Sequence, residues 1–335
     1  MASHKDNGEA LQEHPTAFQR FPLVLVQGIP LMEPIVQLWA PIENFEARPD
    51  DLIIATYPKA GTTWMQEIVD LILVGGDVEK ARRAPMPDRI PFLEICSVPP
   101  CPSGESREPL VALILALLPD ELFHVFSGSL PGVDQLVNSP SPRVMKTHLP
   151  FQLLPKSFLE KDCKIIYVAR NAKDNLVSYY FFDQMNLTQP DPGPWDGYVK
   201  KFMEGTVPWG PWYDHVRRYW DEKENHRILY LFYEDMKEDL AREIRRVKDF
   251  LEVDLPEAIV QKIAHHTSFQ VMKDNPMTNF ENVPSTIFDR TKSSFMRKGE
   301  VGDWKNYFTV AQREAFDAHY QQKMEGTTLH LRDVL

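Results

Sequence analysis

Four times in this chain a short run of strand-forming apolar residues breaks at a turn and gives way to a helical pattern, and that alternation restricts the fold most. Asp51 to Tyr57, DLIIATY, stops at Pro58, which lacks the N–H a central strand needs. Beyond Lys59 to Thr63, the apolar residues Met65, Ile68, Val69 and Ile72 fall at helical spacing. Arg143 to His148, RVMKTH, reads as a second strand, closed by Leu149-Pro150. Cys163 to Ala169, CKIIYVA, is nearly all apolar, as a parallel strand covered on both faces must be. Arg170-Asn171 turns it into a helix, AKDNLVSYYFF. Ile228 to Phe232 leads through Tyr233 into a helical stretch to Leu251. Such repeats predict an α/β fold, a single domain with a central parallel sheet flanked by helices. Ligands of these folds bind at the carboxyl ends of the strands. The residues there are Lys59, Lys146, His148, Arg170 and Tyr233, and cations at three of the four ends call for an anionic partner.

Composition narrows the partners. With 43% apolar residues the chain fills one large core. Its net charge of -11 argues against general binding to nucleic acid or to an anionic membrane, so a small-molecule partner is expected. Cys96, Cys101 and Cys163 are too few and too irregular for a disulfide framework or a metal site. They read as reduced thiols of a cytoplasmic protein that holds no metal. Met1 to Gln19 is polar and lacks the apolar centre of a signal peptide. Residues 1–20 are therefore expected to be disordered, and 21–335 to form the domain. The most apolar run, Leu110–Leu118, is about half the length of a membrane helix.

The first turn carries the most chemistry. A helix that starts directly after a strand leaves its first N–H groups unpaired, and with the helix dipole they favour an anion. Gly61 allows close backbone approach, Thr62 and Thr63 add hydroxyl donors, and Lys59 adds a charge. The loop is not of the GxxxxGK[ST] type, because Lys59 precedes its glycine. Two readings stay open: an anion cradle, or an ordinary helix start capped by Thr62 or Thr63. Trp64 likewise reads as a core side chain or as a flat face for a purine. Arg297-Lys298, in a glycine-containing loop, read as a flap over an anion or as a solvated pair.

Together, YPKAGTTW, KTHLP, YVARNAKDNLVSYY, LFYEDM, HTSF and FMRKG resemble the cytosolic sulfotransferases, and most closely their phenol-type branch, family 1. The resemblance runs from about Pro22 to the C-terminus. It implies transfer of a sulfonate from 3′-phosphoadenosine 5′-phosphosulfate, the co-substrate, to the hydroxyl or amine of a small apolar acceptor, with no metal. It also implies a P-loop-like strand-loop-helix in which Lys59, Thr62 and Thr63, with Ala60 and Gly61, hold the phosphosulfate. Arg170 and Ser178 match residues that hold the 3′-phosphate, together with Arg297, Lys298 and Gly299 of the flap, which follow Phe295 and Met296. Trp64 and Phe269 match an adenine sandwich, and Tyr233 and Thr267 match contacts to the base or the phosphates. His148 matches the general base, with Lys146, Lys59 and Ser178 completing the catalytic set. Phe92, Phe182, Phe280 and Phe295 match acceptor-pocket positions, though each also suits ordinary core packing. The chemistry is consistent with these roles: a neutral imidazole is a suitable base near pH 7, and Lys146, two residues before it, lies on the same side of an extended chain.

Lys305 to Glu314, KNYFTVAQRE, resembles the family's dimer motif, which implies a homodimer contact through Lys305, Thr309, Val310 and Glu314. Two features depart from the pattern. Ala60 stands where many members carry serine. The segment between Ile95 and Pro142 is unusually long, with an insertion at about 104–137 that includes PLVALILALLPDELFHVF and exceeds a plain loop. It is expected to form a helical lid, to stay unordered, or to block the site. Two rival readings follow: a nucleotide-binding protein silenced by that insertion, and a P-loop-like small-molecule kinase. The missing lysine and the lack of Mg²⁺ carboxylates near the loop count against the kinase.

Overall fold

The strands form where the apolar runs predict them. The computed structural model describes residues 20–95 and 132–335. Its central sheet holds β3 (Leu52–Thr56), β4 (Val144–Thr147), β5 (Lys164–Ala169) and β6 (Ile228–Phe232), all parallel, in the order β4-β3-β5-β6. Ahead of them β1 (Leu23–Val26) and β2 (Ile29–Met32) make an antiparallel hairpin. Its turn, Gln27-Gly28, has positive φ at both residues, the backbone that Gly and short hairpins favour.

Side chains alternate across the sheet, so each strand feeds two cores. On one face Ile53, Ala55, Ile165 and Tyr167 pack with Tyr179, Phe202, Trp212 and Tyr219. On the other, Ile54, Ile166, Val168 and Leu231 pack with Met65, Ile68 and Ile72 of α1 (Thr62–Leu73). Because β3 and β5 are buried on both faces, their sequences are continuous apolar runs rather than alternating ones.

The remaining helices that bear on the site are α2 (Gly132–Asn138), α3 (Ala172–Met185), α4 (Trp195–Glu204), α5 (Trp212–Glu222), α6 (Tyr233–Glu238), α7 (Leu240–Phe250), α8 (Glu257–His266), α9 (Phe269–Lys273) and α10 (Val310–Lys323). The single helix expected from Tyr233 to Leu251 is broken at Asp239. There φ is -146° and ψ 87°, and the carboxylate accepts from Arg242 N–H, so Asp239 starts a new helix. Cys163 is buried and its thiol donates to the Arg48 carbonyl. Cys96, Cys101 and the run Leu110–Leu118 lie outside the described residues, as do residues 1–19. Of the insertion, only its end is described, as α2. Gly132 N–H donates to the Ile95 carbonyl at 2.9 Å, which draws the two flanks together. Among the described residues no helix is long and apolar enough to cross a membrane.

One buried ion pair ties the starts of β3 and β4. Arg143 donates to both Asp51 oxygens at 2.9 and 2.5 Å, and also to the Glu46 and Leu136 carbonyls. Both side chains are at most 2% exposed. Asp51→Ala leaves this guanidinium buried and unpaired. It is expected to lower stability by about 3–5 kcal/mol, read from the urea midpoint. Glu252→Ala, at the exposed Arg227 pair, is expected to leave that midpoint far less changed than Asp51→Ala does.

Candidate active site

The turn after β3 is shaped by two residues with positive φ, Lys59 at 69° and Gly61 at 108°. Gly61 occupies the N-cap position of α1, and among the described residues no side chain caps the helix. The start capped by Thr62 or Thr63 is therefore not what forms: Thr62 is already helical, and its hydroxyl shares a 2.7 Å hydrogen bond with Thr56 Oγ1. Uncapped N–H groups at a helix start favour an anion. A Cβ at Gly61 would come within 2.9 Å of the Tyr233 ring, so glycine is needed for space as well as for φ. Ala60 turns inward. It is fully buried, its N–H donates to the Tyr57 carbonyl, and it does not line the cavity.

That cavity, about 590 Å³, gathers almost every other residue singled out in the sequence. Lys59, Gly61, Thr62, Thr63 and Trp64 line it from the first loop. Lys146 and His148 come from β4 and its end, Arg170 and Ser178 from the β5 turn and α3. Tyr233, Thr267 and Phe269 form another part of the wall, with Phe295, Met296, Arg297, Lys298 and Gly299 from the flap, and Phe92, Phe182 and Phe280 complete the set.

The ring of His148 is fixed by its Nδ1. That nitrogen lies 2.8 Å from the Thr56 carbonyl, which can only accept, so Nδ1 carries the proton and Nε2 carries the lone pair. Phe92 and Trp209 pack edge-on against the ring, with centroids at 5.0 and 5.3 Å. Burial, then the Lys146 charge, hold the imidazole pKa well below its ordinary value. The ring is therefore neutral at pH 7, with a basic nitrogen. Its carbonyl accepts from His215 Nε2, whose Nδ1 accepts from the Tyr167 hydroxyl at 2.7 Å.

The two lysines sit over aromatic rings. Lys59 Nζ is 4.3 Å from the Phe182 centroid and 4.1 Å from that of Phe295, while Lys146 Nζ is 4.4 Å from that of Phe92. Burial, followed by the neighbouring Arg170 and Lys146 charges, lowers the Lys59 pKa to about 7. Burial lowers Lys146 to about 8, against the opposing pull of Glu94.

Arg170 stacks on Tyr233, 4.4 Å from its centroid, and donates to the carbonyls of Lys59 and Glu300. It thus links the first loop to the flap. The flap is held by Asp174, which accepts from the N–H groups of Gly302 and Trp304 at 2.7 and 2.9 Å. Arg297 and Lys298 both bind the carboxylate of Asp303, at 2.6 and 2.5 Å, with Arg297 mostly covered and Lys298 partly exposed. Gly299 has φ 67°, and a Cβ there would lie 2.3 Å from the Phe269 ring. Trp64 and Tyr233 meet edge to face at 5.3 Å. The nitrogens Trp64 Nε1, Arg170 Nε and Arg297 Nε are buried without a hydrogen-bond partner among the described residues.

Sequence reasoning missed part of the wall. Met32 arrives on the hairpin, Asn186, Thr188 and Gln189 follow α3, and Trp209 and Lys237 come from later segments. For Met32 a local signal existed, the Gln27-Gly28 turn between apolar runs. The others have none, because only long-range packing brings them here. Among the described residues no group of three or more His, Cys, Asp or Glu is placed to hold a metal.

Residues 49–328 match the sulfotransferase domain family. Dog sulfotransferase 1B1 is 49% identical over 318 residues, which span 95% of this chain and 98% of that protein. Human sulfotransferase 1C2 is 50% identical over 305 residues, 91% of this chain and 93% of that one. Among solved structures, retinol dehydratase in complex with androsterone and the inactive cofactor PAP superposes with a TM-score of 0.78 at 26% identity, over 94% of this chain and 93% of that chain. Mouse sulfotransferase SULT7A1 complexed with PAP gives 0.68 at 28% identity, over 91% and 95%.

Lys59 is charged below pH 7 and largely neutral above pH 8. Its acylation by an amine reagent, followed by peptide mass mapping, is expected to rise with a midpoint near pH 7. Exposed lysines titrate at about 10.4. A midpoint for Lys59 in that ordinary range would contradict the electrostatics described for the cavity.

Proposed function

The chain belongs to the sulfotransferase family, and from that premise we propose that its cavity binds 3′-phosphoadenosine 5′-phosphosulfate and that His148 accepts the proton of the attacking hydroxyl. One observation carries the assignment. His148 is a neutral imidazole whose Nδ1 is committed to the Thr56 carbonyl, leaving Nε2 as a base in a cavity that also holds Lys59 and Lys146.

The residues present fit such a donor. Uncapped N–H groups at the start of α1, the space left by Gly61, the half-buried Lys59 and the buried Arg170 suit a phosphosulfate and a second phosphate. The Trp64, Arg170 and Arg297 nitrogens, without a partner among the described residues, are polar groups that a ligand or water would satisfy. Arg297 and Lys298 reach an anion only by exchanging it for Asp303. The Trp64 and Phe269 rings suit the two faces of a purine. Ala60, turned inward with its N–H already bonded, is left out of this set.

The donor supplies the sulfonate. Nε2 of His148 takes the hydroxyl proton as the acceptor oxygen bonds to sulfur, and the bond from sulfur to the nucleotide oxygen breaks in line. Lys59 stabilises the charge that collects on that leaving oxygen, and Lys146 stabilises the sulfonate in flight. Ser178, on the cavity wall at α3, contributes to holding the donor. The acceptor end is lined by Phe92, Phe182, Phe280 and Phe295, so small planar phenols and similar apolar alcohols, including xenobiotics, are its substrates. Three of these rings are in contact, Phe280 with Phe295 at 4.2 Å and Phe182 with Phe295 at 6.1 Å.

The same reading extends to the whole chain: one catalytic unit over 21–335, working in the cytoplasm. A homodimer contact through Lys305, Thr309, Val310 and Glu314 belongs to it. Its support is that Val310, an apolar residue at the start of α10, is 66% exposed, while Thr309 caps that helix.

The test is a phenol and alcohol screen with labelled donor on the full chain. His148→Ala is expected to reduce turnover by about 10²–10⁴-fold, with the dissociation constant for 3′-phosphoadenosine 5′-phosphate largely unchanged. Near-normal turnover in that variant would remove His148 from its role. Tight nucleotide binding with no turnover of any acceptor by the parent chain would favour the silenced form. For the parent, affinity for 3′-phosphoadenosine 5′-phosphate is expected to fall between pH 6 and pH 8 in calorimetric titrations, because Lys59 loses its charge near pH 7.

A further inference from the structure

Behind His148 lies a carboxylate to which the transfer itself assigns no part. Glu94 is fully buried. One oxygen accepts the His148 backbone N–H at 2.6 Å and the Trp209 indole N–H at 3.2 Å. The other accepts the Thr147 hydroxyl at 2.8 Å, and that hydroxyl in turn accepts the Leu149 N–H at 3.0 Å. The segment carrying Glu94 is stitched to β4 as well: Leu93 N–H donates to the Lys146 carbonyl, and Lys146 N–H to that of Pro91, both at 2.9 Å.

These contacts converge on the imidazole from two directions. The first fixes the peptide from which the His148 ring projects. The second fixes Trp209, whose indole packs 5.3 Å from that ring and stacks on Phe92 at 6.2 Å. A neutral group of the same shape cannot accept from all three donors at once, whereas an ionised carboxylate can. We propose that Glu94 is a positioning residue for His148, whose ionised carboxylate holds the imidazole in its productive orientation through the His148 peptide, Thr147 and Trp209. The proposal rests on the reading of His148 as the base.

Among the described residues, the charged or titratable side chains that interact with this carboxylate include Lys146 from β4, which it helps to keep protonated, and Tyr219 from α5, whose ionisation it opposes. Burial raises the Glu94 pKa to about 7, against the stabilising hydrogen bonds from His148 N–H and Thr147. His148 itself stays neutral well below that pH. Protonation of Glu94 as pH falls through 7 removes an acceptor site and slackens the clamp. The acidic limb of turnover therefore belongs to Glu94 and not to the imidazole.

The experiment compares the parent with Glu94→Gln, Thr147→Val and His148→Asn. It records kcat/KM for phenol as acceptor from pH 5.5 to 8.5, with labelled donor. Phenol titrates at about 10, as tyrosine does, and stays out of this range. The parent is expected to show an acidic limb near pH 7. Glu94→Gln is expected to lose about 10- to 100-fold in kcat/KM and to lose the limb, while its melting temperature and its affinity for 3′-phosphoadenosine 5′-phosphate stay close to the parent's. Thr147→Val removes one bond to the carboxylate, raises its pKa, and is expected to move the limb upward by about half a pH unit. This variant decides the matter if Glu94→Gln does not fold.

A folded Glu94→Gln that keeps the limb, or a Thr147→Val limb that stays in place, overturns the proposal. If His148→Asn is inactive while the Glu94 and Thr147 variants behave like the parent, the clamp falls and the base stands. If His148→Asn retains turnover, the base reading falls and the clamp with it.

Discussion

Positive charge concentrated on one cavity wall, in a chain of net charge -11, is the constraint on which the rest of the site depends. Lys59, Lys146, Arg170, Arg297 and Lys298 all face the same space. Burial first, and then the neighbouring Arg170 and Lys146 charges, lower Lys59 to about 7. The protein manages this cost in parts. It lays the lysines over aromatic rings, stacks Arg170 on Tyr233, and gives Arg297 and Lys298 a resident carboxylate in Asp303. An anion entering this space relieves repulsion as well as gaining contacts, which gives selectivity for anions to a protein whose overall field repels them.

Against these cations the site sets one neutral base, and its neutrality comes from the same source. Burial and the charge of Lys146 both disfavour a protonated His148. The carbonyl of Thr56 then selects which nitrogen keeps its hydrogen. Thr56 ends β3 and hydrogen-bonds through its hydroxyl to Thr62 at the start of α1, so the anion-binding turn and the base share one support. The paired strands β3 and β4 deliver both groups to the same edge of the sheet.

Much of this could be read in advance. The four parallel strands lie within a residue or two of the runs DLIIATY, RVMKTH, CKIIYVA and ILYLF, because burial on both faces demands continuous apolar sequence. The kinase alternative gives way to the sulfotransferase family match. Other features were not legible. Asp239 breaks a helix that periodicity alone carried on to Leu251, since capping by a carboxylate outweighs a continuing apolar stripe. The N-cap of α1 is Gly61 and not a threonine, because the turn needs φ of 108° there and the Thr62 hydroxyl is taken by Thr56.

The sequence by itself determined the alternation of strand and helix, the edge of the sheet where function gathers, and the residue types placed there. Those follow from periodicity and from short motifs, which are local properties of a chain. Only the tertiary structure decided which nitrogen of His148 is basic, that Ala60 turns away from the cavity, that Asp303 holds the flap cations, and that Glu94 and Trp209 stand behind the imidazole. Each of these depends on a partner distant in sequence or on the depth of burial. Hydrogen-bond direction and desolvation are properties of a packed environment, and no spacing of letters encodes them.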